Sequence, residues 1–350
     1  MGYQSLYSNT EGSYNTAAGK QSLKANTTGQ YNAAFGGSAL NANTTGSGNV
    51  GFGYQALDDN TTADYNTSVG YQSMMNTTTG WYNAALGKYA LKANTTGQYN
   101  AAFGANSLSS NTTAESNTGL GMNTLSTNTT GQSNTAAGQG ALYYNTTGHY
   151  NTASGSLALR LNTTGSYNTG TGYRSLNANT EGGNNTAVGY YAGGLNTTGD
   201  ANVFIGYQAG YNSSYATSDN KLVIANSNTT SPLVDGDFDA ATLTVNGALT
   251  ANSMAAGDVS AAEFAYLDGV TSAIQTQLNA KGTVSSLSDL SVTATATELN
   301  LIINCKRNSL GSTRNIARHN NGGSKFCQSS YKAQQNAPQD TMIGERHRDC

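Results

Sequence analysis

A 17-residue repeat constrains the fold of this chain more than any other feature of its sequence. The segment NTTGQYNAAFG occurs twice letter for letter, at 26–36 and at 94–104, and near-copies surround both. Twelve consecutive units run from Tyr3 to Gly206 without insertion or deletion. Helical repeats need roughly 33 to 47 residues, and a heptad coiled coil has a different period. We therefore predict one coil of a parallel β-solenoid per unit, stacked about 4.8 Å apart into a rod about 58 Å long.

The pattern inside a unit predicts a short strand. We number the positions of a unit from 1 to 17, so that Tyr3 holds position 1 and Gly19 holds position 17. Position 4 is Leu in ten of the twelve units, position 14 is Thr, Ala or Val, and position 16 is usually apolar, as in Phe35 and Phe103. Because side chains alternate along a strand, we expect positions 14 and 16 to face the coil interior together with the leucine. Glycine at positions 10 and 17 is expected at corners where φ is positive.

Asparagine at position 13 is present in all twelve units, which predicts a stacked asparagine ladder that satisfies the backbone groups of turns. The members of this ladder are Asn15, Asn32, Asn49, Asn66, Asn83, Asn100, Asn117, Asn134, Asn151, Asn168, Asn185 and Asn202. The segment Asn-Thr-Thr at positions 7 to 9 also matches the glycosylation sequon, but glycans on neighbouring coils about 4.8 Å apart would collide. We therefore interpret Asn-Thr-Thr as a turn closed by side-chain hydrogen bonds.

A small residue at position 15 is the second regular feature. It is Ala, Gly or Ser in eleven units, and Phe204 is the exception. If positions 14 and 16 face inward, position 15 faces outward, where either a neighbouring backbone packs closely or a tight turn excludes bulk. The alanines of this predicted small face are Ala17, Ala34, Ala85, Ala102, Ala136, Ala153 and Ala187.

Three further regions follow the solenoid of residues 1–206. Residues 207–250 predict a β connector, with strands at 221–225 and 242–245 and turns at Asp235-Gly236 and Asn246-Gly247.

Residues 251–302 carry an apolar stripe from Phe264 to Leu278 at spacings of three and four, which predicts a short coiled-coil stalk helix or a helix packed on the solenoid end. Residues 303–350 hold all three cysteines without zinc-site spacing. We predict a disordered tail there, which is either genuine or the product of a frameshift.

Composition narrows the function. Charged residues make up 10% of the chain and form no basic stripe in the repeats, so no nucleic-acid partner is expected. The sequence contains no run of 18 apolar residues, so no membrane-spanning helix is predicted. His149 is the one histidine before residue 319, and Asp58 and Asp64 are isolated substitutions expected at solvated corners. We therefore predict no enzyme activity, no cofactor and no metal, and a glycan hydrolase carried on a fibre is the weaker alternative.

Tyrosine recurs at position 12 and also at position 1, as in Tyr3 and Tyr54. Stacked tyrosines along a rod either hold coil on coil or offer an apolar surface with polar tips to a glycan. The candidate ladder at position 12 is Tyr14, Tyr31, Tyr65, Tyr82, Tyr99, Tyr150 and Tyr167. Trp81 stands alone and receives no role from the sequence. Ice binding through threonine arrays is a further alternative, although two adjacent threonines cannot both face outward from one strand.

Several segments resemble a known group of proteins. The units NNTAVGYYAG (184–193) and DYNTSVGYQSM (64–74) resemble the head repeats of trimeric autotransporter adhesins and of related bacteriophage tail fibres. The phrases NKLVIANS, TLTVNGALT and LDGVTSAIQTQLNAK are similar to the connector and stalk of phage fibre proteins. The resemblance spans about 1–302 and implies a left-handed parallel β-roll, three chains side by side and a trimeric stalk. It also implies an inter-chain role for the small residues of position 15.

These observations favour a structural, adhesive fibre segment over the other function classes. The expected partners are two further copies of the chain and a glycan or protein receptor on a host surface. The expected location is a virion tail fibre or a bacterial cell surface. We also expect the chain to be part of a longer protein, or to assemble at its N-terminus with another one, since Met1-Gly2 leads directly into a repeat.

Overall fold

The computed structural model describes residues 2–248, which are all-β. Twelve coils of 17 residues form a parallel β-solenoid with one three-residue strand in each coil, which confirms the predicted solenoid and its period. Neighbouring strands pair in register, as Thr16 does with Ala33. The strands are β1 (Thr16–Ala18), β2 (Ala33–Phe35), β3 (Val50–Phe52), β4 (Thr67–Val69), β5 (Ala84–Leu86), β6 (Ala101–Phe103), β7 (Thr118–Leu120), β8 (Thr135–Ala137), β9 (Thr152–Ser154), β10 (Thr169–Thr171), β11 (Thr186–Val188) and β12 (Val203–Ile205).

The sheet continues beyond the twelve repeats. A 3₁₀ turn at Ser213–Tyr215 precedes three longer strands, β13 (Lys221–Ile224), β14 (Val234–Asp237) and β15 (Thr242–Val245). Strand β13 pairs parallel with β12, whereas β14 and β15 are antiparallel to their neighbours, so that one sheet of 15 strands results. The stalk predicted for 251–302 and the tail predicted for 303–350 lie outside the described residues.

The turn predicted at Asp235-Gly236 is wrong, because both residues lie in the middle of β14. Gly236 is paired with Leu222 on one side and with Leu243 on the other. A Cβ at this position would lie 3.1 Å from the Cβ of Leu222, so the glycine meets a packing need between two leucines. Glycine in a strand often marks such a close approach.

The coil interior is built on the leucine of position 4, which is fully buried from Leu23 to Leu176, with Met74 as the replacement in the fifth coil. These leucines have φ angles of 48 to 55°, a left-handed conformation that directs each side chain into the coil. Glycine at position 17 also has positive φ, as predicted, for example 139° at Gly104. Glycine at position 10 does not have positive φ, in contrast to the prediction. Glycine is needed there because a Cβ would lie 2.4 Å from a carbonyl oxygen of the next coil, as at Gly29.

The predicted direction of the strand residues is wrong. In every coil the middle residue, position 15, is buried, and positions 14 and 16 point outward, as shown by Ala102 at 0% exposure beside Phe103 at 40%. The interior has no room for a large residue there: a Cβ at Gly51 would lie 3.1 Å from the carbonyl oxygen of Ala56 and 3.4 Å from Cγ of Leu40. Position 15 is therefore small because the coil is narrow. It does not face a neighbouring chain, and this holds for Ala17, Ala34, Ala85, Ala102, Ala136, Ala153 and Ala187 alike.

Asparagine side chains tie each coil to the next. At position 13, Oδ1 of Asn32 accepts a hydrogen bond from the backbone N–H of Asn49 at 2.9 Å, and Nδ2 of Asn32 donates to the carbonyl of Gly46 at 2.8 Å. The same pair of bonds recurs at all twelve asparagines from Asn15 to Asn202. The ladder thus satisfies buried backbone groups at each turn, where an unpaired group would be destabilising.

Candidate interaction surfaces

On the outward face of the sheet, position 16 is a large apolar residue in the second to seventh coils and again in the eleventh and twelfth. Position 16 presents large side chains to solvent in several coils, and Phe52 and Leu120 are each 55% exposed. The face continues past the repeats, since Val203 and Ile205 pair with Leu222 and Ile224 of β13. The exposed apolar members at position 16 are Phe35, Phe52, Leu86, Phe103, Leu120, Val188 and Ile205. Soluble monomers rarely expose large contiguous apolar surfaces, so the row of six coils from Phe35 to Leu120 is a candidate interface.

The seven tyrosines predicted as a ladder at position 12 are exposed and fall into three stacked groups. Tyr14 stacks on Tyr31 with ring centroids 5.0 Å apart and an interplanar angle of 4°. The other groups are Tyr65 with Tyr82 and Tyr99, and Tyr150 with Tyr167. Gly48 separates the first group from the second, and Ser116 and Ser133 separate the second from the third. Stacking therefore stabilises neighbouring coils, while the rings keep about half of their surface in solvent.

A second aromatic row lies at position 1. Tyr173, Tyr190 and Tyr207 stack in sequence, with centroids 5.3 and 5.1 Å apart. The Arg174 guanidinium lies over the rings of Tyr173 and Tyr191 and donates to the hydroxyl of Tyr191. This contact is a cation–π interaction that fixes the arginine against the row.

The Asn-Thr-Thr segments form two further ladders and leave one threonine in solvent. The asparagines of position 7 from Asn26 to Asn196 are fully buried, and Nδ2 of Asn43 donates to Oδ1 of Asn26 at 2.8 Å. The first threonine donates to the next coil, as Thr27 does to the carbonyl of Thr44 at 3.0 Å. Because these asparagine side chains are inaccessible in the folded solenoid, they cannot carry glycans there. The second threonine is exposed, for example at Thr28.

Trp81 is the residue that sequence reasoning undervalued. It occupies position 11, and its indole lies 5.0 Å from the ring of Tyr82 and 5.8 Å from that of Tyr99. The interplanar angles are 40° and 47°, so the indole leans on the tyrosine stack without joining it. The usable sequence signal was the position within the repeat: every aromatic at positions 11 and 12 is brought to one edge of the rod.

Neither a family model nor a curated protein matches the chain, and no solved structure matches it.

The acidic residues of the repeats do not converge. Asp58 was expected at a solvated corner, but it is only 8% exposed, and its Oδ2 accepts from Gln55 at 2.9 Å while Oδ1 has no partner. Burial raises the pKa of Asp58 and outweighs the hydrogen bond from Gln55, which lowers it; the neighbouring Asp59 adds to the rise. His149 accepts a hydrogen bond at Nδ1 from the backbone N–H of Gln132, which is a structural contact. Among residues 2–248, no group of three His, Cys, Asp or Glu side chains has the geometry to hold a metal ion.

A cavity of about 320 Å³ is lined by residues of the 3₁₀ turn at Ser213–Tyr215 and of strands β13 to β15. The hydroxyl of Tyr215 donates to Oδ1 of Asp235 at 3.3 Å, and Lys221 forms an ion pair with Asp237. Burial, reinforced by Asp235, raises the pKa of Tyr215 to about 12, so this hydroxyl remains a neutral donor at physiological pH.

No helix within 2–248 has the length and hydropathy to span a membrane.

Proposed function

We propose that the protein is a segment of a self-associating fibre that projects from a virion or a bacterial cell surface and attaches it to a host or another surface. The resemblance of the repeats to those of trimeric adhesins and phage fibres supports this function. It also supports a left-handed coil and three chains per fibre.

The single observation that carries the proposal is the row of exposed apolar side chains at position 16 on the outward side of the sheet. Large apolar side chains such as Phe52, Leu86 and Leu120 are half in solvent on an isolated chain. Burying apolar surface stabilises an assembly by roughly 25 cal/mol per Å², so a face of this length favours association with a surface of similar shape. Parallel, regularly spaced coils of a second and third copy offer such a surface. The inter-chain face is then positions 14 and 16, in place of the position 15 expected from the sequence.

Attachment is supported by the aromatic side chains that border this face. Tyrosine presents a large apolar ring with a polar tip and loses little conformational freedom on binding, which suits recognition of glycans and proteins. A glycan or protein receptor on the host surface is therefore the proposed partner of the rod.

Sedimentation of the full chain tests self-association. We expect a trimer, because three side-by-side chains bury the apolar side chains that an isolated chain leaves in solvent. A compact monomer at micromolar concentration would contradict the proposal.

A variant that replaces Phe52, Leu86, Phe103 and Leu120 with threonine makes the test specific. Thr171 shows that threonine is compatible with position 16, so the coils should still form. We expect the variant to sediment as a smaller species than the wild type. The matched control replaces Tyr31, Tyr65, Tyr82 and Tyr99 with serine. Serine already occupies position 12 in two coils, at 116 and 133, so the control should retain the wild-type assembly.

Ice binding is a second candidate function because one regular threonine row does face solvent. Position 9 is an exposed threonine in nine consecutive coils: Thr28, Thr45, Thr62, Thr79, Thr96, Thr113, Thr130, Thr147 and Thr164. One row with a spacing of about 4.8 Å is narrower than a two-dimensional array, and its neighbours at position 11 are irregular. Thermal hysteresis of the purified chain tests this alternative, and a value equal to that of buffer would exclude it.

A further inference from the structure

The aromatic residues of the fourth to sixth coils differ from the other tyrosine groups because a tryptophan lies against the stack. Trp81 is the only tryptophan of the chain. It remains 37% exposed, and Tyr65, Tyr82 and Tyr99 beside it are each about half exposed. Four aromatic rings from three consecutive coils therefore present one contiguous surface.

Trp81 is not explained by the hydrogen bonding of the solenoid. At position 11 a polar side chain commonly accepts from the backbone N–H of the preceding coil: Asp64 accepts from Ser47 at 2.7 Å, and Ser166 accepts from His149 at 3.0 Å. An indole has one donor and no acceptor, so Trp81 cannot make this bond. The tyrosine stack does not require it either, since Tyr150 and Tyr167 stack at 5.1 Å without a tryptophan.

The polar groups around Trp81 indicate what the surface binds. Asp64 and Gln98 hold the same position in the preceding and following coils, about 4.8 Å to either side. A carboxylate and an amide flanking an aromatic surface suit a ligand with apolar C–H faces and hydroxyl groups at its edges. Asp64 is the only charged residue among positions 11 and 12 of these coils, which disfavours an anionic ligand.

We propose that Trp81, Tyr82 and Tyr99 form a binding platform for a neutral saccharide chain, with Asp64 and Gln98 hydrogen-bonding to its hydroxyl groups. The pyranose rings stack on the aromatic surface, and the saccharide runs along the rod because the platform extends from coil to coil. This inference rests on the proposed attachment function and names its ligand class.

Tryptophan emission provides a direct test, because the single indole reports on this platform alone. The full chain is titrated with cellohexaose, chitohexaose and laminarihexaose, and binding is checked by calorimetry. We expect a saturable change in emission with at least one of them. If none of the three changes the emission or releases heat, the platform does not bind neutral saccharides and the proposal is wrong.

Trp81→Gln is the central variant, since Gln30, Gln98 and Gln132 show that glutamine is compatible with position 11. We expect at least about tenfold weaker binding, as for other aromatic anchors, with an unchanged midpoint of thermal unfolding. Unchanged affinity would overturn the platform at Trp81 while leaving attachment at another tyrosine group open. Sedimentation of the same samples separates the two proposals, because Trp81→Gln should assemble as the wild type does.

The chain also offers a gain-of-function control. His149→Trp places an indole beside Tyr150 and Tyr167, the same arrangement as Trp81 beside Tyr82 and Tyr99. Introduced into Trp81→Gln, it should restore at least part of the binding and transfer the emission change to the new indole. If binding does not return, the flanking Asp64 and Gln98 are required as well, and restoring them as Gln132→Asp and Ser166→Gln completes the transplant. Failure of that complete transplant would contradict the proposed composition of the site.

Discussion

The ring of Phe204 fills the space that a side chain at Gly193 would need: a Cβ at position 193 would lie 2.5 Å from Cδ2 of Phe204. In the preceding coils, position 4 is large and position 15 is small; here the two sizes are exchanged. The same ring also requires glycine at Gly210, which holds position 4 of the next coil, since a Cβ there would lie 2.2 Å from Cδ1 of Phe204. One phenylalanine thus replaces two leucine side chains at the end of the repeats.

This exchange predicts a strong coupling between the two positions. Phe204→Ala should lower the free energy of unfolding by about 3 to 5 kcal/mol, because it leaves a cavity. Gly193→Leu alone should also be destabilising, since the leucine collides with the ring. The double variant restores the leucine–alanine pattern of the other coils and should be more stable than the sum of the single changes implies. Urea unfolding of the four proteins measures the coupling, and additive effects would contradict the exchange.

The asparagine ladder at position 7 has one gap, where Thr77 replaces asparagine. Oδ1 of Asn60 and Oγ1 of Thr77 are both buried without a hydrogen-bond partner. Thr77→Asn should supply the missing donor and acceptor and raise the free energy of unfolding by about 1 to 3 kcal/mol. Denaturant unfolding checks this. Thr79→Asn, the same change at an exposed position, should stay within about 0.5 kcal/mol of the wild type. Equal effects of the two changes would show that the gap is not the cause.

Asp58 makes stability depend on pH. Burial raises its pKa in the folded chain, so the folded state holds the proton more tightly than the unfolded state does. The stabilisation that this proton uptake gives the folded state is complete below about pH 4, the pKa of the carboxyl in the unfolded chain. It is lost as the pH rises through the higher pKa of the folded chain. Asp58→Asn should therefore stabilise the chain at pH 7, with a gain that shrinks towards about pH 3. Asn41 and Asn177 already occupy this position in other coils.

Urea midpoints at several pH values measure this dependence. Asp59→Asn is the matched control, because Asp59 is exposed and one residue away. A gain for Asp58→Asn that is the same at acidic and neutral pH would contradict the effect of burial.

The repeat period was enough to predict the solenoid, because 17 residues with alternating apolar positions fit one coil and fit no helical repeat. The inward side of each strand could not be predicted in the same way. Alternation allows two phases, and the rule that apolar residues face inward selected Phe35 and Phe103, whereas the interior of these coils has room only for a small residue at the strand. The volume of a coil interior is a property of the closed coil, and it is not visible in a single unit.

The residues that depart from the repeat pattern indicate which side of the strand faces inward. Phe204 at position 15 coincides with Gly193 at position 4, and a size exchange of this kind implies that both side chains enter one interior. Trp81 was undervalued for the opposite reason: one residue has no period, and only the fold places it against Tyr82 and Tyr99. Isolated departures from a repeat therefore identify candidate sites, whereas the repeat itself identifies the scaffold.

The inward direction of position 15 leads to a test with an adjacent control. Ala102→Val adds two methyl groups to a fully buried site and should lower the free energy of unfolding by about 1 to 3 kcal/mol. Ala101→Val makes the same change one residue earlier, at the outward position 14, where Val50 and Val203 occur naturally, and should stay within about 0.5 kcal/mol of the wild type. Because both variants add the same side chain to the same strand, β propensity cannot account for a difference between them. A larger loss of unfolding free energy for Ala101→Val would show that position 14 faces inward and position 15 outward. It would also contradict the proposed inter-chain surface.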